Sequence, residues 1–175
     1  QGLRKDGLNF YIQRDGISLE LYCPTDRRYF SLIYDHRISD MLKAEYEKDS
    51  QILNGHMERY DIEDDMLRNE NLDDIVSYLR IRDISDEEVR KLYQNIRDYS
   101  IHSDCRIRDV KMIDPRKDED RNEKWDGLQI MGLLYPYEEE FSPRRYERTA
   151  QEVISVAKQV GDQVKKLDVL EQVGY

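Results

Sequence analysis

Two cysteines, four prolines and eight scattered glycines are all this 175-residue chain holds of the residues that staple, break or cradle. Cys23 and Cys105 make at most one bridge, and neither has a second Cys or a close His at metal-ligand spacing. Two reduced, mostly buried thiols in a cytoplasmic protein are therefore expected. No Gly-x-Gly-x-x-Gly and no phosphate loop occurs, so no cofactor is expected. No apolar run approaches the length of a membrane span, and no charged-then-apolar leader opens the chain, so a membrane is not among the expected partners. His36, His56 and His102 are the only histidines, too few to suggest general acid–base work. Basic residues are also in deficit, 28 against 38 acidic. The deficit is uneven: residues 1–37 carry six basic and five acidic groups, 38–104 nine and eighteen, 105–175 thirteen and fifteen. Phosphate binding needs clustered Lys and Arg, so nucleic acid is a poor partner for the middle third. A basic protein partner, or solubility alone, accounts better for the acidity.

Tyrosine is what the chain has in excess, 13 against 3 Phe and 1 Trp, and its apolar body with a polar tip suits boundary and contact positions. Apolar and charged residues each make up 38%, a core adequate for one domain, or for one domain with a helical appendage. The chain opens on Gln1-Gly2 without an initiating Met, which reads as the remnant of a cleaved tag on a segment of a longer protein.

LNFYIQ and ISLELYC flank Arg14-Asp15-Gly16, a hairpin signal, and YFSLIY supplies a third strand beyond the Pro24–Arg28 turn. In ISLELYC, Ile17, Leu19 and Leu21 face one way and Ser18, Glu20 and Tyr22 the other. A helix is expected from Ser39 to Asn54-Gly55. An acidic loop or weak helical turn is expected over 57–71. Leu72, Ile75, Val76 and Leu79 then space a short amphipathic helix. Ser85 and Glu88 form a capping box ahead of the stripe Val89, Leu92, Tyr93, Ile96 and Tyr99. CRIRDVKMI at 105–113 reads as a strand with a charged face, and LQIMGLLY at 128–135 as a central strand covered on both faces. The tract DPRKDEDRNEKWDG between them reads as a charged connection.

Ser142-Pro143 opens a last helix expected over 143–172. Val153, Ala157, Val160, Val164 and Leu167 recur in it with the 3.5-residue period of a coiled-coil seam. One helix packed on its own sheet and a homodimer seam both fit. A helix of about thirty residues spans about 45 Å, which favours self-association.

Three chemistries can be drawn around residues 101–129. Asp118, Asp120, Asn122, Lys124, Asp126 and Gln129 fall at the ligand positions of an EF-hand-like loop. However, Glu123 stands where the turn needs Gly, and Gln129 lacks the bidentate carboxylate. Asp109-Val110-Lys111 is an acid-x-Lys triplet on a strand, both side chains on one face. It resembles the PD-(D/E)xK nuclease pattern over a handful of residues. That resemblance implies a Mg²⁺ centre with Asp104 or Asp114 completing the carboxylates and Lys111 stabilising phosphate charge. The preceding Pro-Asp is absent, and Asp114-Pro115 runs in reverse order downstream. His102-Ser103-Asp104-Cys105 gathers triad-type residues, but neighbours on a strand point to alternate faces, so they do not converge. Arg27-Arg28-Tyr29-Phe30 and Arg144-Arg145-Tyr146 interleave basic and aromatic residues, the ordinary composition of a boundary.

The expected fold is α+β: a mainly antiparallel sheet (an N-terminal meander plus two later strands), helices on one face, and a long C-terminal helix. The expected organisation is a domain over 3–142 and a terminal helix over 143–175. The expected function is non-catalytic, a regulatory, sensor-like or assembly module binding a protein partner and itself. The alternative is a metal-dependent nuclease using Asp104, Asp109 and Lys111. A ligand-sensing module would carry a pocket near LQIMGLLY.

Overall fold

A computed structural model describes residues 7–62, 72–101, 103–116, 122–139 and 141–172. Among the described residues five strands form one sheet in the order β1-β2-β3-β5-β4, with β1 Gly7–Arg14, β2 Ile17–Pro24, β3 Phe30–Arg37, β4 Arg106–Ile113 and β5 Glu123–Leu134. The helices are α1 Ile38–Lys48, α2 Ser50–Arg59, α3 Leu72–Arg82, α4 Asp86–Ile101, α5 Pro143–Val164 and the short α6 Asp168–Glu171. This is the antiparallel α+β architecture read from the sequence. None of the described helices is long and apolar enough to cross a membrane.

The chain divides into two compact units. The first comprises Gln1–His36, Ile96–Arg108 and Leu128–Gly161; the second comprises Arg37–Asn95, Asp109–Gly127 and Asp162–Tyr175. In the first, the β1–β2 hairpin closes through Asp15 and Gly16, at φ 52° and 77°. Both central residues being left-handed is the requirement of the tight turn whose twist matches the strands. Register runs Phe10 opposite Leu21 and Leu21 opposite Leu32. Helix α5 lies against β5 here. A Cβ added at Gly132 would meet Thr149 Cγ2 at 2.7 Å and Val153 Cγ2 at 2.8 Å, so the missing side chain lets helix and strand approach closely. Leu19, Leu32, Leu128, Ile130, Ile154 and Val160 fill the core around that contact.

In the second unit α1, α2 and α3 pack on one another. Leu42, Tyr46, Met57, Ile75, Val76 and Leu79 are buried, and α3 is buried on every side from Ile75 to Ile81. That places Arg80 inside, where Nη2 donates to Val169 O at 3.1 Å and to Gln172 Oε1 at 2.9 Å. The capping box of α4 forms: Ser85 N donates to Glu88 Oε2 at 2.9 Å and Glu88 N to Ser85 Oγ at 3.2 Å.

Three expected boundaries move. The helix expected to run from Ser39 to Asn54-Gly55 is two helices. The break falls at Asp49, whose extended backbone and carboxylate, accepting from Gln51 N at 2.9 Å, cap α2. Gly55 sits inside α2 with open space around it. Strand β5 begins at Glu123, so the last part of the charged tract is strand. The terminal helix stops at Val164, and Leu167 at ψ 137° is extended ahead of α6. The expected loop over 57–71 is helical as far as Arg59 and lies outside the described residues from 63 onward.

Candidate contact surface

Among the described residues six large apolar side chains are exposed, and five belong to the first unit: Leu8 (64%), Phe10 (52%), Tyr11 (68%), Tyr135 (41%) and Tyr137 (73%). Alternation along β1 puts Leu8 and Phe10 on one sheet face and Tyr11 on the other. Leu8 stands across from Cys23. Continuing the Tyr22–Ser31 pairing by one step brings Phe30 alongside Cys23. The Phe30 ring meets Tyr137 edge-on at 6.4 Å, and Tyr29 meets Tyr135 in the same way at 6.4 Å. An apolar row thus crosses this end of the sheet from Leu8 through Cys23 and Phe30 to Tyr137. Arg27 lies 5.6 Å over the Tyr29 ring and donates to its hydroxyl, which fixes the aromatic at the rim. Scattered exposed apolar residues are ordinary; a row of exposed and half-buried ones across adjacent strands makes this end the candidate contact surface.

The pocket that a ligand-sensing module would need near LQIMGLLY has a counterpart. A cleft of about 400 Å³ runs along Gly132–Tyr135 to Glu138, Phe141 and the first turns of α5. Four of its charged side chains pair across or along it, Arg145 with Glu138 at 3.7 Å and Arg148 with Glu152 at 3.4 Å, and Asp104 and Arg106 also line it. At the mouth Ser142 Oγ accepts from Arg145 N at 3.3 Å, the cap read from Ser142-Pro143.

The residues singled out for catalysis are placed otherwise. Asp109 accepts from the Tyr93 hydroxyl and from Trp125 Nε1 at 3.1 Å, and the Tyr93 hydroxyl is pushed above its ordinary range by burial and by that bond. Lys111, on the same strand face, pairs loosely with Glu123 at 3.8 Å. Asp104 belongs to the first unit, Asp109 and Lys111 to the second. Asp114 is buried and clamps Arg116 through both oxygens, at 3.1 and 3.0 Å. Among the described residues no three His, Cys, Asp or Glu side chains gather where they could hold a metal ion.

The EF-hand-like set fares similarly. Asp118 and Asp120 lie outside the described residues. Asn122 offers its backbone carbonyl to Asp114 N at 3.0 Å and to the Tyr78 hydroxyl at 3.2 Å. Asp126 is fully buried on β5 and caps α1, accepting from Ser39 N at 2.8 Å and Ser39 Oγ at 2.5 Å. A carboxylate among the free N–H groups of a helix start meets the positive end of the helix dipole. Burial raises its pKa, while the Ser39 bonds and Arg37, 3.9 Å away, oppose that shift. With both oxygens so engaged, Asp126 is a structural cap.

Of the triad-type residues, His102 is outside the described set. The Cys105 thiol is pushed up to about 11, chiefly by burial, which keeps it protonated. Burial also raises the Cys23 thiol. The five seam residues Val153, Ala157, Val160, Val164 and Leu167 are 0 to 4% exposed in the single chain. A stripe already buried in this way has no surface left for a second helix.

No protein-family model, no curated protein and no solved structure matches this chain.

Proposed function

We propose that this chain is a non-catalytic assembly or regulatory module that binds a protein partner through the apolar, tyrosine-bearing end of its first unit. The observation that supports this reading is the concentration of exposed large apolar side chains there, five of six among the described residues. Charge supports it as well. The first unit holds twelve basic and twelve acidic residues, the second sixteen and twenty-six. An aromatic-rich patch on a unit without net charge suits an interface, while the acidic second unit keeps the module soluble and favours a basic partner at long range. The Cys23 and Cys105 thiols are free, as a reducing cytoplasmic setting requires.

A photo-crosslinking amino acid placed at Tyr11, at Tyr137 and, as control, at the exposed Glu87 of the second unit tests the reading in cells. Adducts of defined mass at residues 11 and 137 and none at 87 are expected. Equal labelling at all three positions, or none at 11 and 137, refutes the proposal. Titration calorimetry with Mg²⁺ or Mn²⁺ addresses the nuclease alternative, for which binding heat abolished by Asp109→Asn would be needed.

A further inference from the structure

Strand β1 is an edge of the sheet, with β2 its one hydrogen-bonded neighbour among the described residues. Open edges expose unpaired N–H and C=O groups and template pairing with another strand, so proteins blunt them with charge, proline or bulges. The other edge follows that rule: β4 carries Arg106, Arg108, Asp109 and Lys111 in eight residues. β1 does the reverse. Gly7 to Gln13 holds no charge and no proline, and Leu8, Phe10 and Tyr11 are left more than half exposed. An uncharged edge of seven residues with three exposed apolar side chains persists in a soluble protein when something pairs with it.

We infer that β1 pairs antiparallel with β1 of a second copy of this chain, joining two five-stranded sheets across a two-fold axis. The inference rests on the reading of the first unit as a contact surface and names its occupant. A two-fold axis normal to the sheet keeps each residue opposite one on the same face, so facing residue numbers sum to an even value. With the axis through Phe10, that residue faces its own copy, Leu8 faces Ile12, and Asn9 faces Tyr11. The half-exposed apolar face of one hairpin then continues into that of the other, and cross-strand aromatic and branched pairs form at the junction. Charge does not oppose the contact, because the net −10 of the chain resides in the second unit.

Sedimentation equilibrium over a wide concentration range tests this directly. The wild-type chain should show a monomer–dimer equilibrium. Phe10→Lys and Tyr11→Lys should each raise the dimer dissociation constant by about tenfold or more. Ile113→Lys, at an exposed site on the charged edge, should leave it unchanged. Oxidation should link Phe10→Cys into a covalent dimer in a Cys23→Ser background, where Asn9→Cys should not link. A concentration-independent monomer, or a dimer indifferent to Phe10→Lys, overturns the inference, and linkage at residue 9 instead of 10 overturns the register. A monomer that still photo-crosslinks to another protein through Tyr11 removes the second copy and leaves the contact surface standing.

Discussion

The two units of this chain treat polar and apolar side chains in opposite ways. The first leaves Leu8, Phe10, Tyr11, Tyr135 and Tyr137 in solvent and carries no net charge. The second puts ten excess acidic residues in its sequence, yet takes Arg80, Asp114 and Asp126 inside. Solubility asks for charge outside and apolar groups inside. The second unit meets the outer half of that demand and breaks the inner half for the sake of geometry: Asp126 fixes where α1 begins, and Arg80 ties α3 to Val169 and Gln172. The first unit breaks the outer half. The breach on the surface is the ground on which a partner is proposed, and the breach in the core is explained by hydrogen bonds that specify one arrangement.

The sharpest way to break the second unit is therefore through a polar residue. Asp126→Ala leaves Ser39 N–H buried without an acceptor and uncaps α1, and should cost about 3 kcal/mol. Urea unfolding followed by circular dichroism measures the loss. Ser39→Ala removes only the hydroxyl bond and should cost about 1 kcal/mol. Equal losses from the two substitutions would mean that the backbone N–H bond contributes nothing.

The matching test of the first unit is apolar and steric. Gly132→Ala places a methyl group 2.7 to 2.8 Å from Thr149 Cγ2 and Val153 Cγ2, and overpacking of this kind costs about 1–3 kcal/mol. Val153→Ala alone should also destabilise, since it empties a fully buried site. Combined with Gly132→Ala it should recover part of the loss, because the second change makes room for the first. Strictly additive losses would show that the helix does not rest on this glycine.

How much of this is legible in the sequence depends on whether the cause is local. The hairpin at Asp15-Gly16 and the Ser85–Glu88 box are local, since a few neighbouring residues suffice to satisfy the backbone, and both stood in the sequence as they stand in the fold. The 3.5-residue stripe from Val153 to Leu167, which outruns α5 by its last member, marks residues that are buried, but a period carries no information on what buries them. Asn54-Gly55 looked like a stop, yet Asp49 broke the helix earlier, because a carboxylate able to accept from Gln51 N begins a new helix as effectively as glycine ends one. Asp126 lay in a tract so charged that it read as loop, and its partner Ser39 is 87 residues away. The exposed apolar strand β1 is half legible. LNFYIQ could be read as a strand without charge, but edge status is a property of strand order, which alternation does not encode.

The smallest expected effect separates the units by pH. His56, on α2 in the second unit, is half-buried; its Nε2 has no hydrogen-bond partner among the described residues, and its ring meets Tyr46 edge-on at 5.9 Å. Burial first, then the Arg80 and Arg59 guanidinium groups, pull its pKa from 6.5 to about 4. The folded state thus holds the neutral ring, while the unfolded chain takes up a proton below its ordinary pKa. Stability is full above pH 6.5 and declines as pH falls toward 4, below which both states are protonated and the penalty stops growing. With screening of a partly exposed ring, the loss should be about 1–2 kcal/mol. His56→Gln should flatten that part of the pH profile, and hydrogen exchange at pH 7 and pH 4.5 should place the acid-induced opening in α1, α2 and α3, with β1 and β2 unaffected. Opening that spread equally through both hairpin strands would show that the two units unfold as one, and the contrast between them would then be one of surface alone.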